Sequence, residues 1–328
     1  MKILVTGDSG FIASFLIPRL INKGHEVVGI DLVPYNRQTF THRQIIGNIA
    51  DRNAVLKAAQ DMDCIIHLAA VHTDEGPTKE DYFYTNATGT EVLLDVAGKL
   101  NINQFFFFST VGIYGNISPA DETTLPMPNN NYGFSKLKAE EAIVKWCQDN
   151  TIRKAIIIRP TAVYGPGNKA NIFRLIKQVS IGNFRIVGNG KNKKAIIFVK
   201  NVVSSVMYLL EHFNNQIDVY NLIDYPILTI NSLTTTIAKI NKKDLSKFKI
   251  PLIPATMLIT IFNGVLWLIR QKPMITKMRL KKFCDNTEYC ADKIRQIGYQ
   301  QDISTESGLR ETIKWNKTHD WQKEITEK

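Results

Sequence analysis

The 328-residue chain predicts an α/β fold, a doubly wound parallel sheet with a smaller C-terminal region. Three observations carry this. An apolar run, KILVT at 2–6, ends in Gly7-Asp8-Ser9-Gly10-Phe11-Ile12-Ala13 and is followed at once by a helical pattern, FLIPRLINKG. Strand-like and helical patterns then alternate to about residue 165. The run QFFFFST at 104–110 is apolar on both faces, as a central parallel strand requires.

In the first unit, Gly7 permits a tight turn and Gly10 lets the backbone approach a pyrophosphate at the helix N-terminus. Ala13 supplies the small side chain needed where helix meets strand, and Pro18 is expected to kink the helix or mark its first turn. The second strand, EVVGIDL, brings Asp31 to a point about 20 residues past the glycines, where a carboxylate can accept from both ribose hydroxyls of a dinucleotide. Its charge would repel a 2′-phosphate, which favours NAD(H). Arg37, close downstream, keeps NADP(H) open.

IIGNIAD and a short helix, NAVLKAAQD, lead to the strand CIIHLAA. A helix is expected from about Tyr82 to Leu100, carrying Asn86. QFFFFST then delivers Ser109 and Thr110 to the sheet edge where ligands bind. The next helix begins near Tyr132, and KAIIIRP is the fifth strand. Within Tyr132-Gly133-Phe134-Ser135-Lys136 the tyrosine and lysine share one helix face. An ammonium beside a phenol stabilises the phenolate and is expected to lower its pKa from about 10, which suits proton transfer. The lysine could also reach ribose hydroxyls.

After Pro160 the texture changes to the turn-rich TAVYGPG and the loop Gly188–Lys194, with helical and strand-like stretches between and beyond them. The boundaries expected are 1–165 for the dinucleotide-binding domain, its sheet completed by 195–224, with 166–194 and 225–328 forming a substrate-binding region. Ser304 or Thr305 can cap a final helix, and the terminal QKEITEK is expected to fray. The apolar stretch 252–269, interrupted by Pro254, Asn263 and Gly264, reads as a buried or lipid-surface helix and not a span, so peripheral membrane contact there is an expectation.

Composition narrows the classes. The hydrophobic fraction of 44% supports a sizeable core. Four cysteines without CxxC spacing read as free thiols in a reducing compartment, and no His/Cys/Asp cluster has metal-ligand spacing. The N-terminus reads as strand and turn, not as a signal peptide, and a cytoplasmic location is expected. A net charge of +11 favours an anionic partner, but scattered lysines without a reader motif speak against nucleic acid and suit a phosphorylated small molecule.

These residues together resemble the extended short-chain dehydrogenase/reductase superfamily, in its nucleotide-sugar epimerase/dehydratase branch. The carriers are TGDSGFIA, Asp31, GNIAD, HLAA, NATGT, FFFFSTVGIYG, YGFSK, RPTAVYGPG, GNG and the closing GYQQDIS…GLRETIKW. RPTAVYGPGNKANIF and GNGKNKKAIIFVKNVV look like the bacterial polysaccharide subgroup acting on UDP-hexosamine derivatives. The resemblance implies a Rossmann-like fold, a homodimer and a catalytic set of Thr110, Tyr132 as acid/base and Lys136 as its modulator and ribose contact. It implies cofactor contacts from Gly7, Gly10, Phe11, Ile12, Asp31, Asn48, Ile49, Leu68, Ala69, Ala70 and Asn86.

Two departures bear on the reaction. Thr110 is followed by Val111 and Gly112, where the family's dehydratases carry an acidic pair, so 4,6-dehydration is disfavoured. Ala162 stands where many epimerases place asparagine. Lys169, Asn171, Arg174, Lys193 and Lys194 are candidates for a substrate diphosphate. His67 reads as a strand residue placed by packing. The activity expected is 4-keto reduction of a UDP-linked amino sugar in polysaccharide synthesis. C4 epimerisation, a hydroxysteroid-type dehydrogenase and a non-catalytic cofactor-binding protein are the alternatives.

Overall fold

A computed structural model describes residues 1–35, 42–73, 76–182, 184–212, 214–245, 249–251 and 284–319. The chain forms two compact units: Met1–Val163 with Ile197–Ile223 and Tyr289–Asp302, and Tyr164–Ile196 with Asp224–Glu288 and Ile303–Lys328. The 252–269 stretch, Arg37 and the C-terminal QKEITEK lie outside the described residues. Among the described residues no helix is long and apolar enough to cross a membrane.

The first unit is built on seven parallel strands. They are β1 (Lys2–Thr6), β2 (Glu26–Asp31), β3 (Arg43–Ile46), β4 (Cys64–His67), β5 (Gln104–Phe108), β6 (Lys154–Pro160) and β7 (Ile217–Leu222), in the spatial order 7-6-5-4-1-2-3. Strand order reverses beside β1, which pairs with β2 on one side and β4 on the other. A ligand crevice opens at such a switch point, outside the strands' carboxyl ends. The central strands are apolar on both faces because helices cover both: Phe105 and Phe107 are fully buried among Leu4, Ile65, Ile143 and Ile157.

The connecting helices are α1 (Ala13–Asn22), α2 (Arg52–Ala59), α3 (Lys79–Phe83), α4 (Gly89–Lys99) and α5 (Asn131–Gln148). Pro18 is accommodated within α1. Asp51 caps α2 by accepting from Asn53 N, and Asn130 caps α5 by accepting from Gly133 N at 2.8 Å. The helix expected from Tyr82 to Leu100 is not uniform. A π-turn, Tyr84–Thr88, joins α3 to α4, an insertion that hydrophobic periodicity cannot register because both flanking helices keep their own apolar faces.

In the second unit α6 (Asn171–Ser180) packs with α8 (Ile230–Ile240), and α10 (Thr305–His319) also meets α8. Helix α7 (Val199–Glu211) and the short α9 (Asp292–Gln296) belong to the first unit. Ser304 Oγ accepts from Ser307 N at 3.2 Å, so the final helix is capped as its sequence suggests.

Candidate active site

The glycine turn follows β1. Gly7 adopts φ +69°, and a Cβ there would lie 2.7 Å from the Ala69 amide nitrogen, so the turn tolerates no side chain. Gly10 N returns to Gly7 O at 3.0 Å, which aims the entrance of α1, with Phe11 and Ile12, towards the sheet edge. Asp31 ends β2 and accepts from Ser9 N at 3.1 Å and Val33 N at 3.2 Å. Each oxygen keeps acceptor capacity for a ribose hydroxyl.

Asn48 and Ile49 follow β3, Leu68, Ala69 and Ala70 follow β4, and Thr110 follows β5. Four strands thus bring predicted cofactor residues to one edge, and a fifth brings Thr110. Asn48 Oδ1 turns that loop by accepting from Ala50 N at 2.9 Å. Ile49 is buried where a Cβ on Gly89 would lie 2.7 Å from its Cδ1.

Sequence reasoning missed a cluster beneath the turn. Asp8, fully buried, accepts from His42 Nε2 at 2.7 Å and Gln44 Nε2 at 3.0 Å. A Cβ on Gly29 would fall 2.1 Å from Asp8 Oδ2, so that glycine makes room for the carboxylate. The readable signal is an acidic residue inside a glycine turn, with glycine in the neighbouring strand. The cradle, the carboxylate at the end of β2 and the small residues after β4 fit a dinucleotide.

Thr110 caps a 3₁₀ turn, Val111–Tyr114, its Oγ1 accepting from Gly112 N at 3.0 Å. That leaves its hydroxyl proton for the site, where Thr110 acts to lower the Tyr132 phenol. Burial nevertheless pushes the Tyr132 phenol up to about 12, against the lowering contribution of Thr110. The sequence expectation was a lowered value set by Lys136. The difference arises because Lys136, itself buried, donates to the Phe108 carbonyl at 2.8 Å and because desolvation dominates the phenol. Burial lowers Lys136 to about 7, opposed by Glu140.

Three further groups support this set. Tyr82 packs its ring 6.3 Å from Tyr132 and donates to the Thr73 carbonyl. Asn86 in the π-turn donates to Val71 O and Ser135 Oγ, both at 2.9 Å, and accepts from Val71 N at 2.9 Å. Glu140 is paired with Arg159 at 3.1 and 2.6 Å, and Arg159 donates to Tyr114 Oη at 2.8 Å. Ser109 Oγ is buried with no hydrogen-bond partner among the described residues. His67 is buried, as packing predicts.

In the second unit Asn171 and Arg174 are exposed in the first turn of α6, three residues apart and so on one face. Lys194 is half-buried and donates to the Asp285 carbonyl at 2.7 Å, and Lys193 pairs with Glu288. Among the described residues no cluster of three or more His, Cys, Asp or Glu could hold a metal.

Comparison with known proteins agrees with this architecture. The NAD dependent epimerase/dehydratase family matches residues 3–222. The chain is 31% identical over 330 residues to the N-acetyl-alpha-D-glucosaminyl-diphospho-ditrans,octacis-undecaprenol 4-epimerase of Escherichia coli O157:H7, covering 99% of this chain and 98% of that one. It is similar to the solved UDP-glucuronic acid 4-epimerase of Bacillus cereus in complex with NAD, with TM-score 0.76, 26% identity and coverage of 97% and 99%. The fold also matches UDP-glucose 4-epimerase of Thermotoga maritima, with TM-score 0.77, 22% identity and coverage of 97% and 99%. The chain therefore belongs to the NAD dependent epimerase/dehydratase family and is an NAD-dependent enzyme.

Proposed function

We propose that the protein inverts C4 of an N-acetylhexosamine carried on a diphosphate, with the diphosphate joined to a polyprenol. The observation that carries this reading is the end-to-end similarity to an epimerase named for such a substrate, combined with Thr110 standing close enough to Tyr132 to lower its phenol. The apolar stretch 252–269 and the net charge of +11 suit a lipid-linked diphosphate.

Bound NAD supplies reversible hydride acceptance at the carbinol carbon. In this reading Tyr132 Oη, as the phenolate, takes the proton from O4 while the carbonyl forms, and the resulting phenol returns it when the carbinol is restored. A neutral phenol, held high by burial, is well suited to the donating half. Thr110 hydrogen-bonds the same oxygen as charge develops, and Lys136 holds the end of β5 against the second turn of α5. Asn171, Arg174 and Lys194 are the side chains offered to the diphosphate. A homodimer belongs to the same reading, and sedimentation tests it.

Ala162, exposed in the short strand Ala162–Tyr164, favours a second reading, net reduction of a 4-keto sugar. One experiment separates the two. The protein is incubated with NAD and either polyprenol-linked or UDP-linked N-acetylglucosamine, and the released sugar is assayed for the C4 epimer. Epimer formation without net absorbance change at 340 nm is expected, faster with the lipid carrier, and lost in Tyr132→Phe. Stoichiometric loss of NADH with a 4-keto sugar, and no epimer, would establish the reductase instead.

A further inference from the structure

Between the glycine turn and the catalytic helix runs a buried chain of hydrogen bonds whose direction follows from counting protons. Thr90 Oγ1 lies 2.6 Å from the Asn86 carbonyl, which can only accept, so the hydroxyl's one proton goes there. His67 Nε2, 3.0 Å from the same oxygen, must therefore carry a hydrogen and donate it. Burial, helped by the charge of Lys136, pushes the His67 pKa well below its ordinary value, so the ring is neutral and Nδ1 accepts. Thr6 Oγ1, 2.7 Å away, donates to Nδ1 and itself accepts the Ala69 amide at 3.2 Å.

Every link is satisfied in one direction only: Ala69 to Thr6, Thr6 to His67, His67 to Thr90, Thr90 to Asn86. Protonating Nδ1 would turn two hydrogens towards each other at Thr6 and strand one of them in a buried site. The chain then continues sideways. Asn86 brackets Val71 and donates to Ser135 Oγ, and Ser135 donates to the Tyr132 carbonyl at 2.9 Å. The rings of Phe105 and Phe107, with centroids 6.1 and 5.5 Å away, wall the imidazole in.

We infer that His67 is a positioning residue: as a neutral ring protonated at Nε2, it sets the spacing between the loop carrying Leu68–Ala70 and the π-turn carrying Asn86, and through Asn86 and Ser135 the first turn of the catalytic helix. Its kinetic consequence rests on the Tyr132 assignment proposed above, whereas the tautomer and its effect on NAD binding do not.

The test begins with ¹⁵N-histidine NMR of the NAD-loaded protein between pH 5.5 and 8, with the His67 signal identified among the six histidines by its loss in His67→Gln. A protonated Nε2 and bare Nδ1, unchanged across that range and displaced in Thr90→Val, is expected. A ring protonated at Nδ1, or one titrating within the window, would overturn the inference. Thr6→Val and Thr90→Val each cut two of these bonds, one to the ring and one beyond it, without removing the ring. Each should raise the NAD dissociation constant about ten-fold while retaining the folded-state spectrum, and His67→Gln should lose less than His67→Leu, since the amide keeps one donor and one acceptor. Unchanged NAD affinity in both threonine variants would also overturn it, whether or not the sugar reaction proves to be the one proposed. Where turnover is measurable, kcat should fall about ten-fold in Thr90→Val with KM within about two-fold.

Discussion

Lys136 Nζ donates to the Phe108 carbonyl at 2.8 Å and sits 4.6 Å from the centroid of the Phe107 ring. A lysine in so dry a place titrates differently folded and unfolded. Burial lowers it from 10.5 to about 7. Between those values the unfolded chain binds the extra proton, so this residue makes stability rise with pH from about 7 to 10.5. Below pH 7 the ammonium is charged in both states and its desolvation cost is complete. Lys136→Met should therefore melt above the parent, by the widest margin below pH 7, with the margin closing towards pH 10. A pH series of melting temperatures checks this, and a margin independent of pH would refute it.

Thr110 lowers the Tyr132 phenol, while burial raises it to about 12. Thr110→Val keeps the shape and removes the donor. The phenol should then rise further, and kcat should fall about 100-fold because the oxyanion loses its partner. The alkaline limb of the kcat profile should move to higher pH. A fall in rate with an unmoved limb would mean that Thr110 acts on the substrate alone.

Gly7→Ala places a methyl 2.7 Å from the Ala69 amide in a left-handed backbone conformation. NAD affinity should fall at least about 100-fold by titration calorimetry, equivalent to roughly 3 kcal/mol. Asp31→Asn should weaken NAD by about ten-fold and narrow the preference over NADP, since it removes the charge that repels a 2′-phosphate. Unchanged discrimination would relocate the selectivity to the buried Asp8 carboxylate beneath the turn.

The Glu140–Arg159 pair is buried on both sides, with side-chain exposures of 6% and 7%. Glu140→Gln leaves the guanidinium uncompensated and should destabilise by about 3–5 kcal/mol in denaturant unfolding. It also removes the one contribution that raises Lys136, so that lysine should titrate still lower. Arg159→Met combined with Glu140→Leu should recover much of the stability but not the Lys136 titration.

The sheet and the glycine turn that opens it were legible because they depend on local pattern. Val5, Phe106 and Ile157 advertise strands by apolar runs, and Gly7 and Asp31 mark a turn and a strand end. Tyr132 and Lys136 were readable as a candidate pair by their spacing on one helix, and Thr110 as a candidate through the family resemblance. The proton geometry was not. That Lys136 reaches Phe108 while the phenol rises depends on how much water packing removes, and a sequence does not print desolvation. Likewise the Asp8–His42 pair links residues 34 positions apart, and Ser135, one partner of Asn86, lies 49 residues away.

The π-turn at Tyr84–Thr88 accommodates one residue more than a continuous α-helix would. Removing one residue there would let α3 and α4 fuse into an ordinary helix, gaining regular hydrogen bonds. It would also rotate everything before the deletion by about 100° relative to α4. Tyr82 would swing away from Tyr132, and Asn86 would let go of Val71 and Ser135. A single-codon deletion could thus yield a more regular protein with an unassembled site, and the irregularity marks where local helix regularity has given way to alignment.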